Sequence, residues 1–525
     1  MKERCSVYDP SAGKVVTPID AFIEGGTALE TPVAEYARVH DTFEVSSAFN
    51  RLIPLSTPKA GEQYAFKVDM DRCFGCKACV AACHSLNGLD EDESWRDVGF
   101  IHSHERGHSY HQTVTSACHH CVDPACLNGC PVEAYEKDPS TGIVYHLDDQ
   151  CIGCSYCILK CPYDVPKFNK RLGIVRKCDM CHGRLKEGEA PACAQACPTQ
   201  AISITIVNRN TVQVDAAKLK FLPGAPSPEY TQPATRYESE REVPATAVAG
   251  DQQVSVKQHA HTPLMLMLVL TQFSVGILTA LVGSGVESPS GWALAFILSL
   301  SGIGASIAHL GRPLRAWRVF LGLGKSWLSR EILVFGGYFG LLSLLVVINT
   351  LFHASLETTP RYLVDALEWL AVGIGWLGVF TSVMIYADTR RQSWNLFSTS
   401  FRFFGTTTIS FLFGYAIFTE SNLALASLVF VLGSKIVFDG IDSRNCEKSV
   451  KGAGRRYPIL KSKRGKQWLL ARIGFPLMGL LVSVVMQSSL AGITCTILII
   501  VGELCERYQF FVTVNVSKMP GGGVA

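Results

Sequence analysis

Residues 118–131 read CHHCVDPACLNGCP, and residues 151–162 read CIGCSYCILKCP. Each stretch sets four Cys at short intervals and closes with a Pro. Two further groups flank them. Cys73, Cys76, Cys79 and Cys83 repeat the C-x2-C-x2-C-x3-C spacing of Cys151, Cys154, Cys157 and Cys161. Cys178, Cys181, Cys193 and Cys197 form the last group, again with a Pro after the final Cys. The second group, Cys118, Cys121, Cys126 and Cys130, differs by a wider middle gap. Thiolates two residues apart on a tight turn can hold neighbouring irons of one cubane. The fourth Cys begins the next helical segment and points at a different cluster. Sixteen Cys at four per cluster give four 4Fe–4S clusters.

Those 16 Cys, of 20 in the chain, lie between Cys73 and Cys197, whereas long uncharged stretches occur only beyond residue 260. The 48% hydrophobic content and the mean hydropathy of +0.21 therefore average two unlike halves. A chain of 525 residues holds three or four domain-sized units. Disorder, a collagen-like fold and a single soluble domain are excluded. A net charge of +3 without a basic-aromatic stripe gives no reason to expect nucleic acid.

Structural zinc is the alternative for Cys178, Cys181, Cys193 and Cys197 taken alone. Four groups with ferredoxin-type spacing weigh against it. Disulfides are disfavoured because the first 60 residues show no export signal, which implies a reducing cytoplasm. Cys5, Cys446, Cys495 and Cys505 read as ordinary thiols. His102, His104, His108, His111, His119 and His120 crowd between the first two groups. They read as a polar loop at a subunit contact, with metal binding as the alternative. No G-x-G-x-x-G, Ser–His–Asp set or nucleotide loop accompanies the Cys groups. Clusters alone move single electrons, at potentials spanning roughly −700 to +450 mV, so the residues do not fix the direction of flow.

Residues 1–65 read as a loosely structured lead-in, and 66–221 as an α+β ferredoxin-like domain. Residues 222–260 contain Pro223, Pro226, Pro228, Pro233 and Pro244 and read as an extended connector. Residues 261–515 form an all-α membrane bundle, followed by a tail at 516–525. A bilayer core of about 30 Å takes roughly 20 apolar residues per helix. Uncharged runs cover 262–286, 288–308, 332–352, 369–387, 403–419 and 421–434. A last run at 473–502, split near Gln487, Ser488 and Ser489, accommodates two helices. The total is eight transmembrane helices.

An even number of spans puts both chain ends on one side. Loops 309–331, 388–402 and 439–467 and the tail after 506 hold 19 Lys and Arg, whereas the opposite loops hold only Arg361. The positive-inside rule then turns the iron–sulfur domain and both termini to the cytoplasm. Docking of basic loops onto an acidic cluster domain is the alternative source of that asymmetry. After residue 258 the only His are His259, His261, His309 and His353. None is central in a span, so no haem is expected, and a quinone pocket must take its place. His309 can exchange a quinol proton near neutral pH, and Glu331, at the head of the third span, can take the second. Arg312 and Arg330 can hold a quinone carbonyl, with interfacial anchoring as the alternative.

The motifs CVDPACLNGCP, CIGCSYCILKCPYDVPKFN and KCDMC…CAQACP resemble the iron–sulfur subunit of the dimethyl sulfoxide reductase family of molybdopterin enzymes. HLGRP and SWLSREI resemble the membrane anchor of that family, here fused to it, over about residues 60–515 in all. The resemblance implies an eight-span anchor without haem that binds quinol near His309 and Glu331. It also implies a docked catalytic subunit that carries the molybdopterin, with membrane lipid and the quinone pool around the anchor.

Four-cluster ferredoxin subunits imply the pairing of the Cys. One cluster falls to Cys73, Cys76, Cys79 and Cys197, and a second to Cys83, Cys178, Cys181 and Cys193. A third falls to Cys118, Cys121, Cys126 and Cys161, and the fourth to Cys130, Cys151, Cys154 and Cys157. Cys154 stands where some relatives lack a Cys and hold three irons. GEQYAFKVD and KACVAACHSLNGLDEDESWRD look closer to the cytoplasm-facing branch that oxidises sulfite and reduces quinone. The alternatives are a quinol-oxidising subunit of an S-oxide reductase and, from another class, a coupling module for ion transport. The last predicts paired charges deep in the spans, which the uncharged runs speak against.

Overall fold

The computed structural model describes residues 52–521 except 106–107, 253–257, 352–360, 449–453, 456–462, 486–488 and 515, together with the strand pair Val7–Asp9 and Lys14–Val16. Most of the 1–65 lead-in, Cys5, His353 and the expected break at Gln487 and Ser488 lie outside the described residues.

The first half contains strands β1 (Glu62–Asp69), β2 (Asp97–Glu105), β3 (His108–Ser116), β4 (Ile202–Asn208), β5 (Arg236–Glu238) and β6 (Val248–Ala249). β1 is central in one sheet. β4 lies antiparallel to it, from Ile202 opposite Val68 to Asn208 opposite Glu62, and β5 parallel, from Arg236 opposite Lys67. The second sheet has the order β6, β2, β3 and is antiparallel throughout. Helix α1 (Ala78–Asn87) and the short helices Ala125–Asn128, Tyr156–Lys160, His182–Lys186 and Ala192–Gln195 all start inside Cys groups. The turns ahead of two of them repeat one conformation. Gly75 and Lys77 have φ of 82° and 62°, and Gly153 and Ser155 have 71° and 59°. Glycine enters this left-handed region at no steric cost, which lets three thiols face one point.

Two expectations change here. Residues 222–251 are not a free connector. β5 and β6 join the two sheets, and Leu222, Thr231, Ala234, Thr235 and Ala247 are buried. Backbone pairing and burial of small apolar residues outweigh the Pro content. The His-rich stretch is likewise no polar loop. His102 and His111 face each other across the β2–β3 hairpin, and His119 and His120 are buried.

The second half is helical: α2 (Thr262–Ser284), α3 (Pro289–Ala308), α4 (Trp327–Leu351), α5 (Arg361–Ala387), α6 (Leu396–Thr419), α7 (Asn422–Lys448), α8 (Lys463–Val485) and α9 (Ser489–Val512). Their starts are legible locally. Ser288 accepts a hydrogen bond from the Gly291 amide ahead of Pro289, and Asn395 caps the Ser398 amide. Among the described residues six helices, α2 to α7, are long and apolar enough to cross a membrane. The two further spans expected over 473–502 coincide with α8 and α9, part of whose residues lie outside the described ones. α2 is the hub of the bundle: Phe273, Val275, Ile277 and Leu278 pack against Tyr338, Ala371 and Ile409. Ile297, Leu344 and Phe430 point outward from the rim. The protein is a multi-pass membrane protein with an iron–sulfur domain stacked on one end of its bundle.

Candidate functional site

The thiols gather in neighbourhoods. Cys118, Cys121, Cys126 and Cys161 line one cavity with Pro124 and Lys177. Cys154 and Cys157 lie within electrostatic reach of Cys130 and Cys151. Cys178 and Cys193 act on Cys83, as does Cys181, and Cys193 and Cys197 act on Cys79. Cys73 and Cys76 are on the most exposed of the four loops. Among the described residues no three His, Cys, Asp or Glu side chains converge on a single-ion site. Structural zinc needs four ligands at about 2.0–2.3 Å from one centre. Four thiols around a cavity fit a larger inorganic group.

Burial pushes Cys126 up to about 12 and Cys130 and Cys161 up to about 11, and neighbouring thiols add to the shift. Such groups keep their protons at neutral pH unless a metal displaces them. Main-chain amides point at the sulfurs: Ala134 to Cys130 at 3.2 Å, Ala201 to Cys197 at 3.2 Å and Gly153 to Cys151 at 3.4 Å. Hydrogen bonds of this kind tune cluster potentials.

Two buried cations complete the site, and sequence reasoning missed both. Burial alone would lower the pKa of Arg96, but the thiols of Cys193, Cys79, Cys178 and Cys83 outweigh it and hold the guanidinium above its ordinary value. Lys177 is likewise raised against burial, by Cys118, Cys126 and Cys178. A Lys directly before Cys178 was the one local signal for either.

The anchor meets the cluster domain on the loops of the second and third Cys groups. Gly322 N donates to the Pro131 carbonyl at 3.0 Å, and Ser326 Oγ to that of Gly129 at 2.8 Å. The Tyr156 hydroxyl donates to Ile385 O at 3.0 Å, and Arg391 reaches the carbonyls of Leu159 and Ile158 at 3.1 and 3.2 Å. Arg315 and Arg318 both engage Asp149 O. The HLGRP turn fits only because glycine meets glycine: a Cβ on Gly311 would sit 2.1 Å from Gly173 O.

His309, at the end of α3, lies beside the backbone of Cys154, and burial lowers its pKa from the ordinary imidazole value. Its Nε2 has no hydrogen-bond partner among the described residues. His261 lies beside it, ring centroids 5.8 Å apart. Glu331 is buried in α4, accepts a hydrogen bond from Ser382 Oγ, and lies within electrostatic reach of Tyr156 and Tyr386. His309 and Glu331 thus both face the Cys154–Tyr156 turn. The two Arg are occupied elsewhere. Arg312 donates to Leu172 O at 3.2 Å and Asp148 O at 2.8 Å. Arg330 donates to the carbonyls of Leu323 and Gly324 and stacks on Trp327.

Residues 110–207 match the 4Fe-4S dicluster domain family, and residues 258–512 match the DMSO reductase anchor subunit (DmsC) family. An anaerobic dimethyl sulfoxide reductase subunit of Haemophilus influenzae is 36% identical over 156 residues, 28% of this protein and 76% of that one. Its counterpart in Escherichia coli K12 is 39% identical over 149 residues, 27% of this protein and 72% of that one. The protein belongs to the dimethyl sulfoxide reductase family. It joins in one polypeptide an iron–sulfur part and an anchor part of that family. The hydrogenase-2 operon protein HybA of Escherichia coli O157:H7 is 33% identical over 195 residues, 31% of this protein and 57% of that one.

Proposed function

We propose that this member of the dimethyl sulfoxide reductase family is the electron-transfer and quinone-reacting subunit of a molybdopterin oxidoreductase. One observation carries the reading: the Cys151–Cys161 loop is seated on the anchor, through the Tyr156 hydroxyl on Ile385 O and Arg391 on the Leu159 and Ile158 carbonyls, with His309 beside the Cys154 backbone. The 16 Cys hold four 4Fe–4S clusters in the groups given above. When bound, these supply single-electron transfer. Arg96 and Lys177 offset their negative charge, and the main-chain amides set their potentials. His309, through Nε2, and Glu331 exchange the two protons of the quinone couple. Arg312 is assigned to docking and Arg330 to capping its own loop.

The membrane bundle has eight spans in this reading, with α8 and α9 completing it. The tail lies on the cluster side, where Lys518 pairs with Asp251 at 3.0 Å. Several Arg of the loops 309–331 and 388–402 serve docking, which removes them from the orientation argument. Residues 439–467 still hold nine Lys and Arg against Arg361 alone on the far side. That supports a cluster domain in the cytoplasm. The molybdopterin partner docks on the cluster domain and oxidises sulfite, with quinone as the acceptor. The names of the relatives support the reverse wiring, quinol oxidation with reduction of an S-oxide.

A potentiometric titration of the purified complex, followed by electron paramagnetic resonance, tests the proposal. Four 4Fe–4S signals, reoxidised on adding quinone, are expected. Fewer clusters, or clusters that quinone does not reoxidise, contradict it.

A further inference from the structure

The cluster-side end of the bundle holds a buried set of ions that the quinone site does not use. On α9, Glu503, Glu506 and Arg507 are all buried, as are Lys435 and Asp439 of α7, Arg402 of α6 and Arg472 of α8. Glu503 lies nine residues before the end of α9, about 13 Å along its axis. Lys435 Nζ pairs with Glu503 and donates to Thr406 Oγ1 at 2.9 Å. Arg507 donates to Thr406 Oγ1 at 3.1 Å and to Gln272 Oε1 at 3.0 Å.

The contacts run on in both directions. Outward, Arg507 meets Glu506 at 3.6 Å, and Glu506 meets Arg402 at 3.8 Å. Arg402 pairs with Asp439 and Asp442 at 2.9 Å, and Asp442 is the most exposed of the set, at 17%. Inward, the Arg507 guanidinium sits 4.0 Å from the Phe403 ring centroid, Tyr386 packs on the same ring at 5.6 Å, and Tyr386 lies within electrostatic reach of Glu331.

Charges at this depth are costly, and a pair that serves only as a clamp is replaceable by apolar side chains of similar volume. A second observation points to water. Both Glu506 oxygens, Arg507 Nε and Nη1 and Gln272 Nε2 are buried without a hydrogen-bond partner among the described residues. Buried polar atoms of this kind are served by bound water.

We propose that this network is a proton inlet, a hydrated path from Asp442 past Glu506 and Arg507 to Glu331. The inference rests on the quinone reading above. Reducing one quinone takes two electrons from the clusters and two protons. One proton passes from Glu331 to a quinone oxygen. Glu331 regains it along waters held by Glu506, Arg507 and Gln272, and the proton is drawn from solvent at Asp442.

The test compares quinone reduction with dye-linked turnover in the intact complex. Glu506→Gln, and the double variant Glu506→Met with Arg507→Met, which leaves no unpaired ion, should slow quinone reduction about tenfold or more. Dye-linked turnover and cluster resonances should be unchanged. The solvent deuterium isotope effect on quinone reduction should rise, and Glu506→Asp should recover most of the rate. Full quinone turnover in the double variant would make the network a helix clamp and overturn the inlet. So would equal loss of dye-linked turnover. Absence of quinone turnover in the unaltered complex would instead overturn the quinone reading itself.

Discussion

Lys160 and Asp388 form a 2.6 Å ion pair that crosses from the third Cys group to the loop between α5 and α6. Lys160 is buried, and its Nζ also donates to the Asp388 carbonyl at 3.1 Å. The Tyr230 hydroxyl reaches the same carbonyl at 2.8 Å. One short loop of the anchor therefore holds the helix that carries Cys157. In the proposed reading electrons pass between a cluster and a membrane site near this junction, and a fixed separation serves that transfer.

Lys160→Met should loosen that junction. Losing a charged hydrogen bond costs about 1.5–3 kcal/mol, and the partial exposure of Asp388 places the effect at the lower end. Calorimetry should show the melting of the cluster domain separating from that of the bundle. A single unshifted transition would mean that the pair contributes little.

Gly311→Ala tests the same face by sterics. The added Cβ meets the Gly173 carbonyl at 2.1 Å, and a main-chain atom cannot swing aside. The turn must lift away from the Cys151–Cys161 loop. Quinone reduction should fall while dye-linked turnover persists. Unchanged quinone kinetics would show that the close approach is dispensable.

Arg96→Gln removes a buried positive charge from beside four thiols. A reduced cluster carries one more negative charge than an oxidised one, so the variant should lower the potential of the nearest cluster. A redox titration followed by electron paramagnetic resonance measures it. A rise, or no change, would contradict the charge-offsetting role.

The turns of the Cys groups were legible because they are local: a few residues of spacing dictate the turn, and Gly75 and Gly153 fit it. The spans were legible because an apolar run is itself the driving force for insertion. What escaped was long-range. Lys435 looks like an isolated charge near the end of a run, and its partner Glu503 lies 68 residues on. The sequence reading therefore expected no paired charges in the bundle, whereas four helices bring them together. Arg96 escaped for the same reason, since its thiol partners reach from Cys79 to Cys193. The Pro-rich segment misled because β5 pairs with a strand far back in the chain, Lys67 to Asp69 opposite Arg236 to Glu238.

In the proposed pairing Cys154 ligates one cluster, and Cys154→Ser should perturb it. The unaltered protein is expected to hold about 16 irons. The variant should lose iron or change one resonance and leave the others intact. Unchanged iron content and spectra would contradict the ligand assignment.

The most direct test of the account is sulfite-dependent quinone reduction in inside-out membrane vesicles, from cells with and without this protein and with His309→Ala. Activity that requires the protein, uses sulfite supplied at the cytoplasmic face, and falls in the variant while dye-linked sulfite oxidation persists is the predicted result. Quinol-dependent S-oxide reduction without sulfite activity would keep the wiring and reverse the direction. Quinone reduction that persists without the protein, or equal loss of both activities in His309→Ala, would contradict the central claim that this protein joins the clusters to the quinone pool.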